Sequence, residues 1–64
     1  MILSYKQLQI LRGLSEGKRV KEISSELHAA YGTVSQWVED LREQMDSKTL
    51  PQMVAKAVRE KIIE

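Results

Sequence analysis

The chain has 64 residues, no cysteine, and a formal net charge of +1 from ten Lys and Arg against nine Asp and Glu. This length holds one small domain, and the lack of cysteine excludes disulfides and thiolate-bound zinc, which favours an intracellular protein. No apolar run exceeds three residues, whereas a membrane span needs about 20. A lone histidine, His28, and few glycines offer little for a catalytic or metal site, so an enzyme is not expected.

Helical signals dominate the first half of the chain. Ser4 and Gln7 have the spacing of a capping box and predict that helix one spans about 4–16, with Gly17 supplying a left-handed stop. A shorter helix two is predicted over about 20–27, and the basic segment Lys18-Arg19 leads into it. The apolar positions that recur at helical spacing in these two helices are Leu8, Ile10, Leu11, Leu14, Val20, Ile23 and Leu27.

The clearest periodicity of the chain lies in its second half. Apolar residues at steps of four, three and four predict helix three over about 31–45; these residues are Val34, Val38, Leu41 and Met45. Ala30, at the start of this helix, provides no capping side chain, and His28 is expected to be an exposed turn residue. Trp37 has two open interpretations, which are partial packing in the core and contact with a sugar-phosphate backbone or a partner.

A second capping box opens helix four. Thr49 and Gln52 have the required spacing, and Pro51 falls in the first turn, so the helix is predicted over about 50–62. Its apolar face consists of Leu50, Met53, Val54, Ala57, Val58, Ile62 and Ile63. No segment alternates with period two, so the sequence predicts an all-α fold in one domain over 1–64.

Helices two and three, joined by a tight turn, have the arrangement of a helix-turn-helix, whose second helix enters the DNA major groove. Ten short segments, spaced along the chain from residue 3 to residue 63, together form a pattern typical of one family of such domains. They are Leu3-Ser4, Ile10-Leu11, Leu14, Glu16-Gly17, Lys21-Glu22-Ile23, Leu27, Thr33-Val34, Val54, Ala57 and Ile62-Ile63. With these residues the chain resembles the LuxR/GerE-type DNA-binding domain without gaps from 3 to 63. Met1 lies two residues before the motif, so for a whole gene product we expect the stand-alone, GerE-like form; a domain excised from a longer regulator would have the same sequence.

The resemblance implies a four-helix helix-turn-helix domain that binds double-stranded DNA through helix three, dimerises through helix four and regulates transcription. It also implies a bacterial or phage-encoded protein of the cytoplasm, associated with the nucleoid, with no cofactor and no membrane contact. The residues expected to contact phosphates are Lys18, Arg19 and Lys21. Those expected to contact bases are Thr33, Ser35, Gln36 and Glu39. Those expected at a homodimer interface are Leu50, Met53, Val54, Ala57 and Val58.

The distribution of charge along the chain favours a second hypothesis. Residues 1–32 carry five bases and three acids, residues 33–46 carry one base and four acids, and residues 47–64 carry four bases and two acids. The helix that should enter DNA is therefore the acidic part, and carboxylates are repelled by phosphates. The alternative is a protein-binding anti-regulator that pairs with a full-length LuxR-type regulator or RNA polymerase and does not itself bind DNA tightly.

Overall fold

Four α-helices account for most of residues 2–63, the part of the chain that the computed structural model describes. They are α1 (Tyr5–Ser15), α2 (Val20–Glu26), α3 (Tyr31–Gln44) and α4 (Leu50–Arg59). No strand forms within the described residues, so the expected all-α fold is confirmed. Met1 and Glu64, the ends of the predicted domain, lie outside them.

Side chains cap α1 and α4 at their first turns, as their sequences predict. The Gln7 N–H donates to Ser4 Oγ at 3.2 Å, and the Ser4 N–H donates to Gln7 Oε1 at 2.9 Å, which completes the capping box. At α4 the Gln52 N–H donates to Thr49 Oγ1 at 3.2 Å, but Gln52 Oε1 accepts from the Lys48 N–H at 2.7 Å instead of from Thr49. The second predicted capping box is therefore only half formed, because the bond from the Gln52 side chain goes to the N–H of residue 48 and not to that of residue 49.

Each of the four helices ends in a Schellman motif, in which one left-handed residue lets the next amides bond back to the last turn. The left-handed residues are Gly17, His28, Asp46 and Lys61. At α4 the Ile62 N–H donates to the Ala57 carbonyl at 2.8 Å. The prediction that α4 continues to residue 62 is wrong, because the chain reverses at Lys61 and carries Ile63 into the core at 4% exposure.

His28 is exposed, as expected, and adopts a φ of 55° in the turn between α2 and α3. A left-handed conformation costs an L-residue about 1–2 kcal/mol. Gly avoids this cost but loses more backbone entropy on folding, so the net gain from a Gly substitution is smaller. We expect His28→Gly to raise the free energy of unfolding by about 0.5–1 kcal/mol in urea denaturation. His28→Ala keeps the unfavourable φ and is the control; equal stability of the two variants would contradict this account of the turn.

The core is built from one face of each helix and closed by the C-terminal segment. Its buried hydrophobic residues are Ile10, Leu11, Ile23, Val34, Val38, Leu41, Met45, Met53, Ala57 and Ile63. Gly13 of α1 lies so close to α2 that an added Cβ would stand 2.8 Å from Ile23 Cγ1. This close approach fixes α2 against α1, and α2 in turn packs against α3.

Two cations hold the junction between α3 and α4. Arg42 Nη1 donates to the Ser47 carbonyl at 2.9 Å and to the Lys48 carbonyl at 3.3 Å. Lys56 Nζ donates to the Met45 carbonyl at 2.8 Å. Positive side chains at the C-terminal end of a helix satisfy carbonyls that have no partner within the helix. Arg42 thus ties α3 to the loop that precedes α4, and Lys56 ties the middle of α4 to the C-terminal cap of α3.

Candidate nucleic-acid interface

The exposed face of α3 carries most of the residues that were predicted to contact bases. Thr33, Gln36 and Glu39 are exposed, whereas Ser35 is half-buried. They reach the surface because Val34, Val38 and Leu41 turn the opposite face of the helix into the core. The first turn of α3 begins at Ala30 without a side-chain cap, as its sequence predicts.

Two carboxylates on α3 are engaged within the helix. Gln36 Nε2 donates to Asp40 Oδ1 at 3.0 Å. Glu39 Oε2 accepts from Arg42 Nε at 3.1 Å and from Arg42 Nη2 at 2.7 Å. Arg42 is the only Lys or Arg in α3, and its guanidinium is already shared between Glu39 and the α3–α4 junction. The exposed face of α3 therefore presents polar and acidic side chains, and its one basic side chain, Arg42, is already hydrogen-bonded within the protein.

The basic lead into α2 contains cations in two different states. Lys18 Nζ lies 2.9 Å from Glu26 Oε2 and 3.5 Å from Glu16 Oε1. The side chains of Arg19 and Lys21 are exposed, and neither forms an ion pair with another residue in 2–63. Arg19 and Lys21 are thus available to phosphates, whereas Lys18 is held by acids of its own chain.

The pKa of Lys18 is raised above its ordinary 10.5, chiefly by its hydrogen bond with Glu26; partial desolvation opposes the shift, and the charges of Glu26 and Glu16 add to it. A raised lysine pKa means that the ion pair supports the fold below pH 10.5 and loses this effect only as the pH rises through the raised value. At neutral pH Lys18 therefore keeps its positive charge beside Arg19.

Lys6 is a cation that the sequence reasoning did not single out. Its Nζ lies 4.9 Å from the centroid of the Trp37 ring, a cation–π distance. Both residues line a crevice between α1 and α3 that also contains Asp40. Trp37 is half-buried against the core, so partial packing, one of its two interpretations, is confirmed. No local pattern links Lys6 to Trp37, because they come from separate helices.

The structure divides the residues that were assigned to a dimer interface. Met53 and Ala57 are 0% exposed within the protomer, so their assignment to an interface surface is corrected to the protomer's own core. Leu50 and Val54 are half-buried, and Val58 is 45% exposed. A surface groove beside α1 is lined by Leu14, Ser15, Leu50, Pro51, Val54 and Ala55. The apolar surface of α4 is narrower than its sequence suggests.

Other classes of site find little support in the described part of the chain. Within residues 2–63 no group of three His, Asp or Glu side chains is arranged to hold a metal ion. No helix formed by these residues is long and apolar enough to cross a membrane. The exposed polar side chains of α3 and the exposed cations Arg19 and Lys21 at the start of α2 make up the candidate interface.

Comparison with known proteins bears directly on this interface. The family model GerE, described as bacterial regulatory proteins of the luxR family, matches residues 1–57. The match includes all of α1, α2 and α3 and the first eight residues of α4. Searches of curated proteins and of solved structures gave no match.

Proposed function

Because the chain belongs to the luxR family of bacterial regulatory proteins, we propose that it regulates transcription as a homodimer that places α3 in the DNA major groove. The family domain is a DNA-binding helix-turn-helix, not an enzyme. The observation that carries the proposal is the exposed polar face of α3 together with two exposed cations at the start of α2, Arg19 and Lys21, which form no ion pair within residues 2–63. Such a protein acts in the bacterial cytoplasm, at the nucleoid.

Arg19 and Lys21 supply the phosphate contacts in this proposal. In helix-turn-helix complexes the first helix crosses the backbone while the second reads the groove, so cations at the start of α2 lie near phosphates. Lys18 adds positive charge at the same place, and it reaches a phosphate only by leaving Glu26. The affinity therefore depends more on Arg19 and Lys21 than on Lys18.

The side chains of α3 supply selectivity. Gln36 pairs with adenine N6 and N7, Glu39 accepts from cytosine N4, and Thr33 contacts either type of base or a thymine methyl group. Ser35 is half-buried and has a shorter reach. Arg42, the only basic side chain in α3, is held at the α3–α4 junction. The helix therefore adds little to the nonspecific attraction between the protein and the DNA phosphates.

A salt titration tests the phosphate contacts. For each phosphate neutralised, the logarithm of the binding constant falls by about 0.9 per decade of salt. The double variant Arg19→Ala/Lys21→Ala removes two cations from each copy, so for the homodimer it is expected to lower this slope by about 3.6 and to weaken binding at every sequence. The measurement is fluorescence anisotropy on promoter DNA.

Arg12→Ala is the matched control, because Arg12 is exposed on α1 beside Lys61 and Ile62. It should leave the slope unchanged. An unchanged slope in the double variant would remove the phosphate role of Arg19 and Lys21. No binding of the unaltered protein at low salt would overturn DNA binding itself.

The proposed homodimer uses the apolar surface of α4. Leu50, Val54 and Val58 form this surface, and apolar patches shared by two copies are commonly covered by two-fold symmetric contact. Val54→Asp is expected to convert dimers into monomers in sedimentation experiments, since burying an unpaired carboxylate is costly. Ser25→Asp places the same charge on an exposed site of α2 and should leave the dimer intact. A dimer that survives Val54→Asp would place the interface elsewhere.

The acidic α3 supports a second candidate function. In this proposal the chain pairs with RNA polymerase or a full-length LuxR-type regulator and binds DNA weakly. Selection of bound DNA from a random pool separates the two functions. Enrichment of a palindrome supports the DNA-binding regulator; failure to enrich any sequence, with stoichiometric binding of purified polymerase or regulator, supports the protein-binding one.

A further inference from the structure

One side-chain pair on the exposed face of α3 has a defined donor and acceptor. Gln36 Nε2 lies 3.0 Å from Asp40 Oδ1, one helical turn further along. A carboxylate offers only acceptors, so the amide must turn its NH₂ group toward Asp40 and its oxygen away from it. The bond to Asp40 therefore favours one orientation of the Gln36 amide over the flipped one.

The rest of the Gln36 amide remains free for an external partner. Among residues 2–63, its side chain forms no other hydrogen bond, which leaves Oε1 and one hydrogen of Nε2 unused. Glu39, the neighbouring carboxylate on this helix, is held by Arg42 and does not compete for Gln36. The free groups are an acceptor and a donor side by side.

We propose that Asp40 is a positioning residue that makes Gln36 select adenine. The oriented amide accepts from adenine N6 through Oε1 and donates to N7 through the remaining Nε2 hydrogen. Guanine presents two acceptors at the same edge, O6 and N7, so the outward Oε1 of Gln36 opposes O6. An unrestrained Gln36 could flip its amide and donate to guanine O6, whereas the restrained one brings its NH₂ group to O6 only by losing its bond to Asp40. The proposal rests on the proposed binding of DNA.

This role and plain electrostatics predict opposite effects of removing Asp40. Its negative charge repels phosphates, so its loss should raise affinity for all sequences. Its hydrogen bond orients Gln36, so its loss should lower the preference for one base at one position. Asp40 is exposed, and its replacement is expected to preserve the fold, which circular dichroism checks.

The test compares the DNA sequences selected by four variants with those selected by the unaltered protein. Gln36→Ala identifies the position in the half-site that depends on Gln36. At that position Asp40→Ala is expected to lower the adenine-over-guanine preference by about 1.5- to 2.5-fold, the contribution of one exposed Gln–Asp pair at this spacing on a helix. Asp40→Asn keeps an acceptor oxygen for Gln36 without the charge and should retain the preference. Glu43→Ala removes an exposed carboxylate of α3 that forms no hydrogen bond with Gln36 and should also retain the preference.

The outcomes separate the inference from the function on which it rests. The inference is overturned if Asp40→Ala keeps the adenine preference that Gln36→Ala abolishes, or if no position depends on Gln36. It is also overturned if Asp40→Asn loses the preference as Asp40→Ala does, since charge would then be responsible. Failure of the unaltered protein to bind any DNA would instead overturn the proposed function, and the inference with it.

Discussion

Met53→Ala is expected to lower the free energy of unfolding by about 2–5 kcal/mol, as measured by urea denaturation at a fixed protein concentration. Met53 is 0% exposed and packs in the core with Ala57 and Ile63. Truncation to Ala removes apolar contacts and leaves a cavity that its neighbours fill only in part. A chain of 64 residues has a total stability of about 3–10 kcal/mol. The substitution therefore removes a large share of the stability of the domain.

Val54→Ala is the matched control, since Val54 is the next residue of α4 and only half-buried. It loses fewer contacts within the protomer, and we expect its cost to be about 1 kcal/mol or less at concentrations where the protein is monomeric. Equal losses for the two variants would contradict the division of α4 into a buried face and a half-buried face. Sedimentation of both variants keeps effects on assembly apart from effects on folding.

The division between Met53 and Val54 illustrates what the sequence of α4 predicts and what it does not. Helical periodicity predicts an apolar stripe along the helix, but neighbouring positions at its edge look alike in sequence. Which of them is covered depends on how α4 lies against α1, a tertiary contact. The end of α4 was missed for a different reason, because Lys61 adopts the left-handed conformation that the sequence pattern associates with Gly.

The candidate site shows the same contrast between local and tertiary information. The exposure of Thr33, Gln36 and Glu39 follows from the register of α3 and was predicted. The bond between Gln36 and Asp40 has a local signal as well, since residues four apart on a helix are neighbours. Contacts of the remaining cations, such as Lys6 with Trp37 and Lys18 with Glu26, depend on packing between elements or on loop geometry. The sequence alone therefore does not predict which of these lysines is free to contact DNA.

The close approach of α1 and α2 at Gly13 is the packing feature with the clearest consequence for the interface. In isolation, replacing a mid-helix Gly with Ala should stabilise the domain by about 0.5–1 kcal/mol. At Gly13, however, the new Cβ would stand 2.8 Å from Ile23 Cγ1 and 2.9 Å from Ile23 Cδ1. Ile23 is 2% exposed, so either its side chain must leave its present rotamer within the core or the two helices must move apart.

Gly13→Ala is therefore expected to be less stable than the matched variant Gly32→Ala by about 1–3 kcal/mol in urea denaturation. Gly32 also lies in a helix, α3, but an added Cβ there meets no atom within 4 Å. A gain in stability for Gly13→Ala equal to that for Gly32→Ala would contradict the close packing. Because α2 carries Lys21 and adjoins Arg19, displacement of α2 at Ile23 should also weaken the proposed phosphate contacts. Comparing the DNA affinities of the two alanine variants therefore tests whether Gly13 of α1 helps to position Arg19 and Lys21 at the start of α2.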